Sequence, residues 1–324
     1  MKKTISILTA LILICSFVLS GCGLVHIGSD GDADLISNVN GDFEYGDIDE
    51  FLVGGATISE KIDAVVIDWP AGKVSVKNTS DDKISFSETS DKELTDDMKL
   101  RYHVDGTTLF IVYSLPKIIS LKNTNKNLKL DLPETFAGNS FTVYLASADI
   151  ETERIVSKNT LISSASGSIE VNVEATDRIE LSSASGEIHL LQKGTVRQIE
   201  IDTASGKVSA VTGNIGELSI DTASGDVELS SDSVGKFDFE TASGKVKLGI
   251  RDAFNEGEIE TASGGVTLTL PEKQGFVLEY DTASGDFDSG LPLKMNNGGY
   301  VYGDGSARIE VETASGGLQI FEYK

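Results

Sequence analysis

Carboxylates recur in this sequence as pairs two residues apart, and they are the side chains with the most obvious chemical potential. The pairs are Glu200 and Asp202, Asp238 and Glu240, Glu258 and Glu260, Glu279 and Asp281, and Glu310 and Glu312. Asp221 shares a sixth pair with Ser219, so eleven of the twelve slots are acidic. Paired acids can serve as general acid and base, as in polysaccharide-degrading β-helices, or ligate a hard cation such as Ca2+ through oxygen. The first chemistry wants a basic residue among the acids, and no Arg or Lys stands within these slots. His26, His103 and His189 are scattered and lack metal-ligand spacing. No His-Glu-x-x-His, phosphate loop, nucleophile elbow or calcium-binding nonapeptide is present. The expectation is therefore a chain with no catalytic residue and no cofactor. Ca2+ on the acidic stripe is the one ligand that the acids leave open.

A second chemistry sits near the start. Lys2 and Lys3 precede an apolar run from Ile5 to Leu19, which has the length of a signal-peptide core and is short for a membrane span. The run ends in Leu19-Ser20-Gly21-Cys22, which resembles a bacterial lipobox with Cys22 as the lipidated residue. The alternative is an ordinary cleaved signal, or an uncleaved anchor, with a chance cysteine. Read as a lipoprotein, residues 1–21 are the signal peptide and the mature chain keeps one thiol, itself acylated, because Cys15 leaves with the leader. That excludes a disulfide framework and a nucleophilic cysteine. It places the protein on the extracytoplasmic face of a bacterial cell membrane. A multiply acylated anchor holds durably, whereas a single chain does not. Residues 22–55 read as a flexible tether, with a mean reach of roughly 30 Å for some 32 residues.

The element that must position the acids is a repeat. Eight times a small hydroxyl residue is followed by Ala-Ser-Gly, at Gly167, Gly186, Gly206, Gly225, Gly244, Gly264, Gly285 and Gly316. A period of about 19 to 21 residues with glycine at one phase marks stacked rungs, each burying its apolar face against its neighbours. The fold class expected is all-β: a single-chain β-solenoid with an irregular β cap at its N-terminal end. Residues 56–150 form the N-terminal region and cap, and 151–324 the regular rungs, with an insertion near 290–305.

Alignment on the glycines shows how a rung is built. Ile199-Glu200-Ile201-Asp202-Thr203 leads into the motif, and Val208 and Ala210 follow it. Period two sends the aliphatic residues and the threonine inward and the acids outward. The motif is then a corner, where crowded neighbouring rungs demand small side chains and hydroxyls can satisfy backbone groups. Glycine there suggests a positive φ. Upstream, Ala148 occupies the glycine slot of an earlier rung. Further back, Ile67-Asp68-Trp69-Pro70-Ala71-Gly72-Lys73-Val74 aligns with the rung at Gly206, and Trp69 in the inward threonine slot reads as a hydrophobic plug rather than a sugar platform.

Stacked in register, the acids form two columns with about 4.8 Å between rungs. Like charges at that separation repel by about 0.9 kcal/mol even in water, so cations, a basic partner or plain solvation must offset them. The strand after the corner differs. Its first outward slot runs Glu187, Lys207, Asp226, Lys245, alternating in sign as an inter-rung ladder would. With a net charge of −24, the chain is a poor partner for nucleic acid.

The lipobox, the opening Ile-x-Ile-Asp strand, Leu130-Asp131-Leu132-Pro133 and the Thr-Ala-Ser-Gly rungs together resemble the bacterial putative adhesin domain family, which includes LiaG-like cell-envelope proteins. The resemblance spans roughly Thr57 to Lys324. It implies a β-solenoid at the cell envelope and supplies no catalytic residues. The function expected is a membrane-anchored surface lipoprotein acting as a non-catalytic envelope interaction or adhesion module, its partner an envelope component or protein. A divalent-cation-dependent binding module and a carbohydrate-active β-helix enzyme are the alternatives.

Overall fold

A computed structural model describes residues 50–114, 126–296 and 298–323. The candidate leader, Cys22 and most of the candidate tether, along with His26, lie outside the described residues. The described chain is almost wholly strand, joined in one sheet of 24 strands, and such helix as it has is short 3-10 turn, as at Asp96–Met98.

In a typical rung, Thr195–Thr203 runs into the corner, and Val208–Thr222 leaves it, rounds a second bend near Gly213 and becomes the first side of the next rung. Successive rungs pair in parallel register: Ile199 with Leu218, Leu218 with Phe237, and Phe237 with Gly257. The alternation read from the sequence is the alternation observed. Ile199, Ile201, Thr203 and Val208 are fully buried and Ala210 nearly so, and the two inward rows close on each other as one continuous core. An inward glycine breaks the pattern at Gly257. A Cβ there would lie 1.9 Å from Cζ of Phe237, whose ring fills the space. Phe237 belongs to an aromatic file through Phe254, Phe276 and Tyr302, with ring centroids 6.1, 6.3 and 5.5 Å apart.

The corner works as a hydrogen-bonded stack. The Gly206 N–H donates to Thr203 Oγ1 at 3.0 Å, and the same bond recurs at Gly225, Gly244 and Gly264. Glycine is required for a different reason from the one the sequence suggests. None of the eight corner glycines has a positive φ. A Cβ on Gly225 would instead sit 2.0 Å from the carbonyl oxygen of Gly206 in the neighbouring rung, and Gly244 and Gly264 are as tightly placed. Close approach of stacked backbones excludes every other side chain there.

At both ends the stack departs from chain order. The first rung, Ala64–Asp68 with Lys73–Thr79, lies between the rung of Thr108–Val112 and Lys126–Pro133 and the rung of Gly138–Leu145 and Asp149–Thr152. At the other end, Ala307–Thr313 and Leu318–Tyr323 insert between the Gly264 rung and the Gly285 rung. The hairpin of Lys294–Asn296 and Gly299–Tyr302 covers part of Phe276–Thr282 and carries the chain back to that slot. Both terminal rungs are thus held on two sides. The outermost ladders are capped in part by antiparallel strands such as Ile84–Ser90, which protects sheet edges from other chains.

Trp69 is fully buried and plugs the N-terminal end of the core. Its indole N–H donates to the Lys126 carbonyl at 3.1 Å. Its ring meets Tyr113 edge-on at 4.9 Å. The Lys126 ammonium is itself buried, 2.6 Å from Glu88 Oε2, and donates to the Met98 carbonyl. It also lies over the Tyr113 ring at 4.2 Å.

Candidate functional site

The first side of each rung carries the acids outward, and in-register pairing stacks them into two columns. One column runs Glu180, Glu200, Ser219, Asp238, Glu258, Glu310 and Glu279; the other runs Ser182, Asp202, Asp221, Glu240, Glu260, Glu312 and Asp281. All eleven predicted stripe residues share this face. Their order differs from the chain's, because the Glu310 and Glu312 rung sits inside the Glu279 and Asp281 rung.

Charge compensation is sparse: arginines pair with acids at the two ends, and Lys236, one outward slot before Asp238, offsets Asp238 and Glu258 at longer range. Arg178 reaches Glu200 at 2.6 Å and Glu180 at 3.0 Å, and Arg308 reaches Glu310 at 3.2 Å and Glu279 at 3.3 Å. Both arginines stand two residues before an acid of the first column, so they share its outward phase. They could have been found by extending the period-two pattern one slot back. The carboxylates of Asp202, Asp221, Asp238, Glu240, Glu258 and Glu260 form no hydrogen bond or ion pair with any described residue.

The carboxyls respond as crowded, half-buried acids must. Burial, reinforced by Asp202, Glu240 and Asp238, pushes Asp221 up to about 7. Burial with Glu240 and Glu312 pushes Glu260 up to about 7. Burial with Glu200 and Glu180 takes Asp202 to about 6, against the pull of Arg178. Asp238, Glu240 and Glu258 are also raised, burial being the larger cause in each. A face of this kind takes up protons near neutrality and attracts cationic groups. It does not converge on a point: among the described residues no three His, Cys, Asp or Glu side chains come together to hold a metal ion.

The second side of the rungs is unlike the first. At the corner exit, Lys207 pairs with Glu228 at 3.3 Å and Asp226 Oδ1 accepts from the Lys245 N–H, which ties adjacent rungs. Beyond it runs a shallow groove of about 710 Å³ bordered by His189, Leu191, Val211 and Lys247 and floored by Ser230 and Gly249. Leu191, Val211 and Phe321 are 37%, 57% and 42% exposed and belong to one outward column. Sequence reasoning stopped at the first outward slot of this side and missed the groove; following the alternation two and four residues further would have placed His189 and Leu191 on it. His103 stands apart, stacked 5.3 Å from Phe51 in the N-terminal region.

The chain belongs to the Toastrack DUF4097 family, whose profile matches residues 62–321. This agrees with the resemblance carried by its motifs. No curated protein gives a match. Among solved structures, the chain is similar to one named as a putative lipid binding protein from Parabacteroides distasonis, at 13% identity and a TM-score of 0.48, over 83% of this chain and 96% of that one. It is also similar to one named as a putative cell adhesion protein from Clostridium sporogenes, at 15% identity and a TM-score of 0.18, over 84% and 100%. A third, named as a putative adhesin from Parabacteroides merdae, has 11% identity and a TM-score of 0.45, over 85% and 97%.

Proposed function

We propose that this Toastrack DUF4097 chain is a non-catalytic interaction module of the bacterial cell envelope, anchored through lipidated Cys22 on the extracytoplasmic face of the membrane, with the acidic face as its contact surface. The observation that carries this reading is the run of six half-buried carboxylates, from Asp202 to Glu260, that have no partner among the described residues. A predominantly acidic face attracts a cationic partner at range and repels nucleic acid. The test is a pull-down from envelope extract with the anchored chain, run beside Cys22→Ala. Retention of one basic envelope component by the parent, released by moderate salt, supports the proposal; equal recovery of acidic and basic components opposes it. Membrane partition of parent but not Cys22→Ala tests the anchor separately.

The in-register acids also favour a second reading, in which divalent cations bridge adjacent rungs and make binding cation-dependent. A rise in melting temperature at millimolar calcium supports it, and an unchanged melt removes it. Release of reducing sugar from envelope glycan, abolished by Glu258→Gln and Glu260→Gln together, would overturn the non-catalytic reading.

A further inference from the structure

We propose that the groove face on the second side of the rungs binds a second copy of this chain, antiparallel to the first, about a two-fold axis passing beside Ser209 and Val211. The proposal does not depend on the acidic face, which points elsewhere and stays open in such a pair.

In-register stacking sets two outward columns on this face. One outward column runs Glu170, His189, Ser209, Glu228, Lys247, and the next runs Asn172, Leu191, Val211, Ser230, Gly249. A two-fold axis lying between two packed faces and parallel to the strands reverses order along each column, so a residue one rung before the axis meets the residue one rung after it. Around the Ser209 rung this sets Glu170 against Lys247 of the other copy, and His189 against Glu228. Both pairings are complementary, and each occurs twice, as an isologous interface requires. Glu170 and Lys247 make no hydrogen bond or ion pair with any described residue, so neither must abandon a partner. His189 and Glu228 are held in place from their own chain by Glu187 and Lys207, at 3.2 and 3.3 Å.

Shape follows the same rule. The exposed knob Leu191 falls opposite Ser230, Asn172 falls opposite Gly249, and Val211 meets its own copy at the axis. Away from the axis, large side chains thus oppose small ones in the second column, as interdigitating sheet faces demand. Exposed apolar side chains aligned in one column of a strand face, rather than scattered, are the mark of an interaction surface.

Size sets the strength. Five rungs, four steps of about 4.8 Å, give a contact about 19 Å long, too short to reach the ~800 Å² per copy of a standard stable interface. The expected pair is weak and concentration-dependent, and it gains where copies are crowded.

Cysteine placement tests this directly, using the full chain with the parent as baseline. Val211→Cys at the axis should give a covalent dimer with a short bis-maleimide linker, because sheet faces packed about 10 Å apart hold the two Cα atoms beyond disulfide reach, while Ser219→Cys on the acidic face and Thr267→Cys, three rungs from the axis, should stay at the parent's level. In the Val211→Cys background, Glu170→Lys or Lys247→Glu alone should lower the dimer yield at least threefold, and both together should restore it. A Val211→Cys yield no greater than that of Ser219→Cys overturns the proposal. So does a double charge swap that yields no more dimer than either single swap. Thermal melts confirm that each exposed variant is folded.

Discussion

Neutralising Asp221 should stabilise the protein at alkaline pH. Its folded-state carboxyl titrates near 7 against a usual value of 3.8, because burial and the neighbouring Asp202, Glu240, Asp238 and Glu200 all disfavour the anion. The folded state therefore holds a proton that the unfolded state releases, and stability falls as pH rises from about 4 through about 7. A shift of about three units corresponds to about 4 kcal/mol at full weight. Residual solvation, counter-ions and sharing of the proton among coupled neighbours bring the expected figure down to about 1–2 kcal/mol. Asp221→Asn keeps the shape, removes one charge from the middle of the column and offers an amide donor to carboxylates on either side. At pH 8 it should raise the melting temperature by about 3–5 °C, taking about 2–4 °C per kcal/mol for a domain of this size. At pH 5 the gain should be smaller, because part of the folded parent is already protonated there while the unfolded chain ionises. Thermal melts of parent and variant from pH 4 to 8.5 provide the readout. A variant less stable than the parent at pH 8, or a gain of equal size at pH 5 and pH 8, would refute the reasoning.

Other consequences can be measured on the same protein. Gly225→Ala forces a Cβ to within 2.0 Å of the Gly206 carbonyl oxygen, so it should cost more than about 3 kcal/mol in denaturant titration, well beyond an ordinary surface change. Thr222→Val leaves the Gly225 N–H without the acceptor that it now has at 2.9 Å, for a loss of about 1–3 kcal/mol; Thr222→Ser should recover most of it. Lys126→Met strands the buried Glu88 carboxylate and should destabilise the N-terminal cap by about 3–5 kcal/mol, seen as faster hydrogen exchange in Lys126–Pro133; adding Glu88→Leu should restore much of the loss.

The regular part of the fold was legible because each repeat states its own geometry. Alternation in Ile199-Glu200-Ile201-Asp202-Thr203 gives the inward and outward faces, and the small residues after it give the corner. Trp69 could be assigned as a plug because it stands where each Ala-Ser-Gly rung has an inward hydroxyl. Rung order at the ends was not legible. The apolar pattern of Ile309, Val311 and Leu318 fits the core beside either neighbour, and the thirty-one-residue gap from Gly285 to Gly316 is the one hint that the chain skips a place. The reason for the corner glycines was hidden as well, since a short contact to Gly206 from the next rung is a property of stacking and leaves no local mark. Eleven of the acids in the columns were read from the sequence, yet Glu180, which heads the first column, and the cations one outward slot before it, Arg178, Lys236 and Arg308, went unseen. The groove escaped because its column mixes Leu191, Val211, Ser230 and Gly249, which form a pattern only when the rungs are placed side by side.

Binding to isolated cell envelopes as salt is varied shows whether the acidic face makes the contact with the envelope. Asp221→Asn, Glu240→Gln and Glu260→Gln together should abolish most of the salt-sensitive binding of the full chain while leaving it folded. Undiminished binding by that triple variant would rule out that contact.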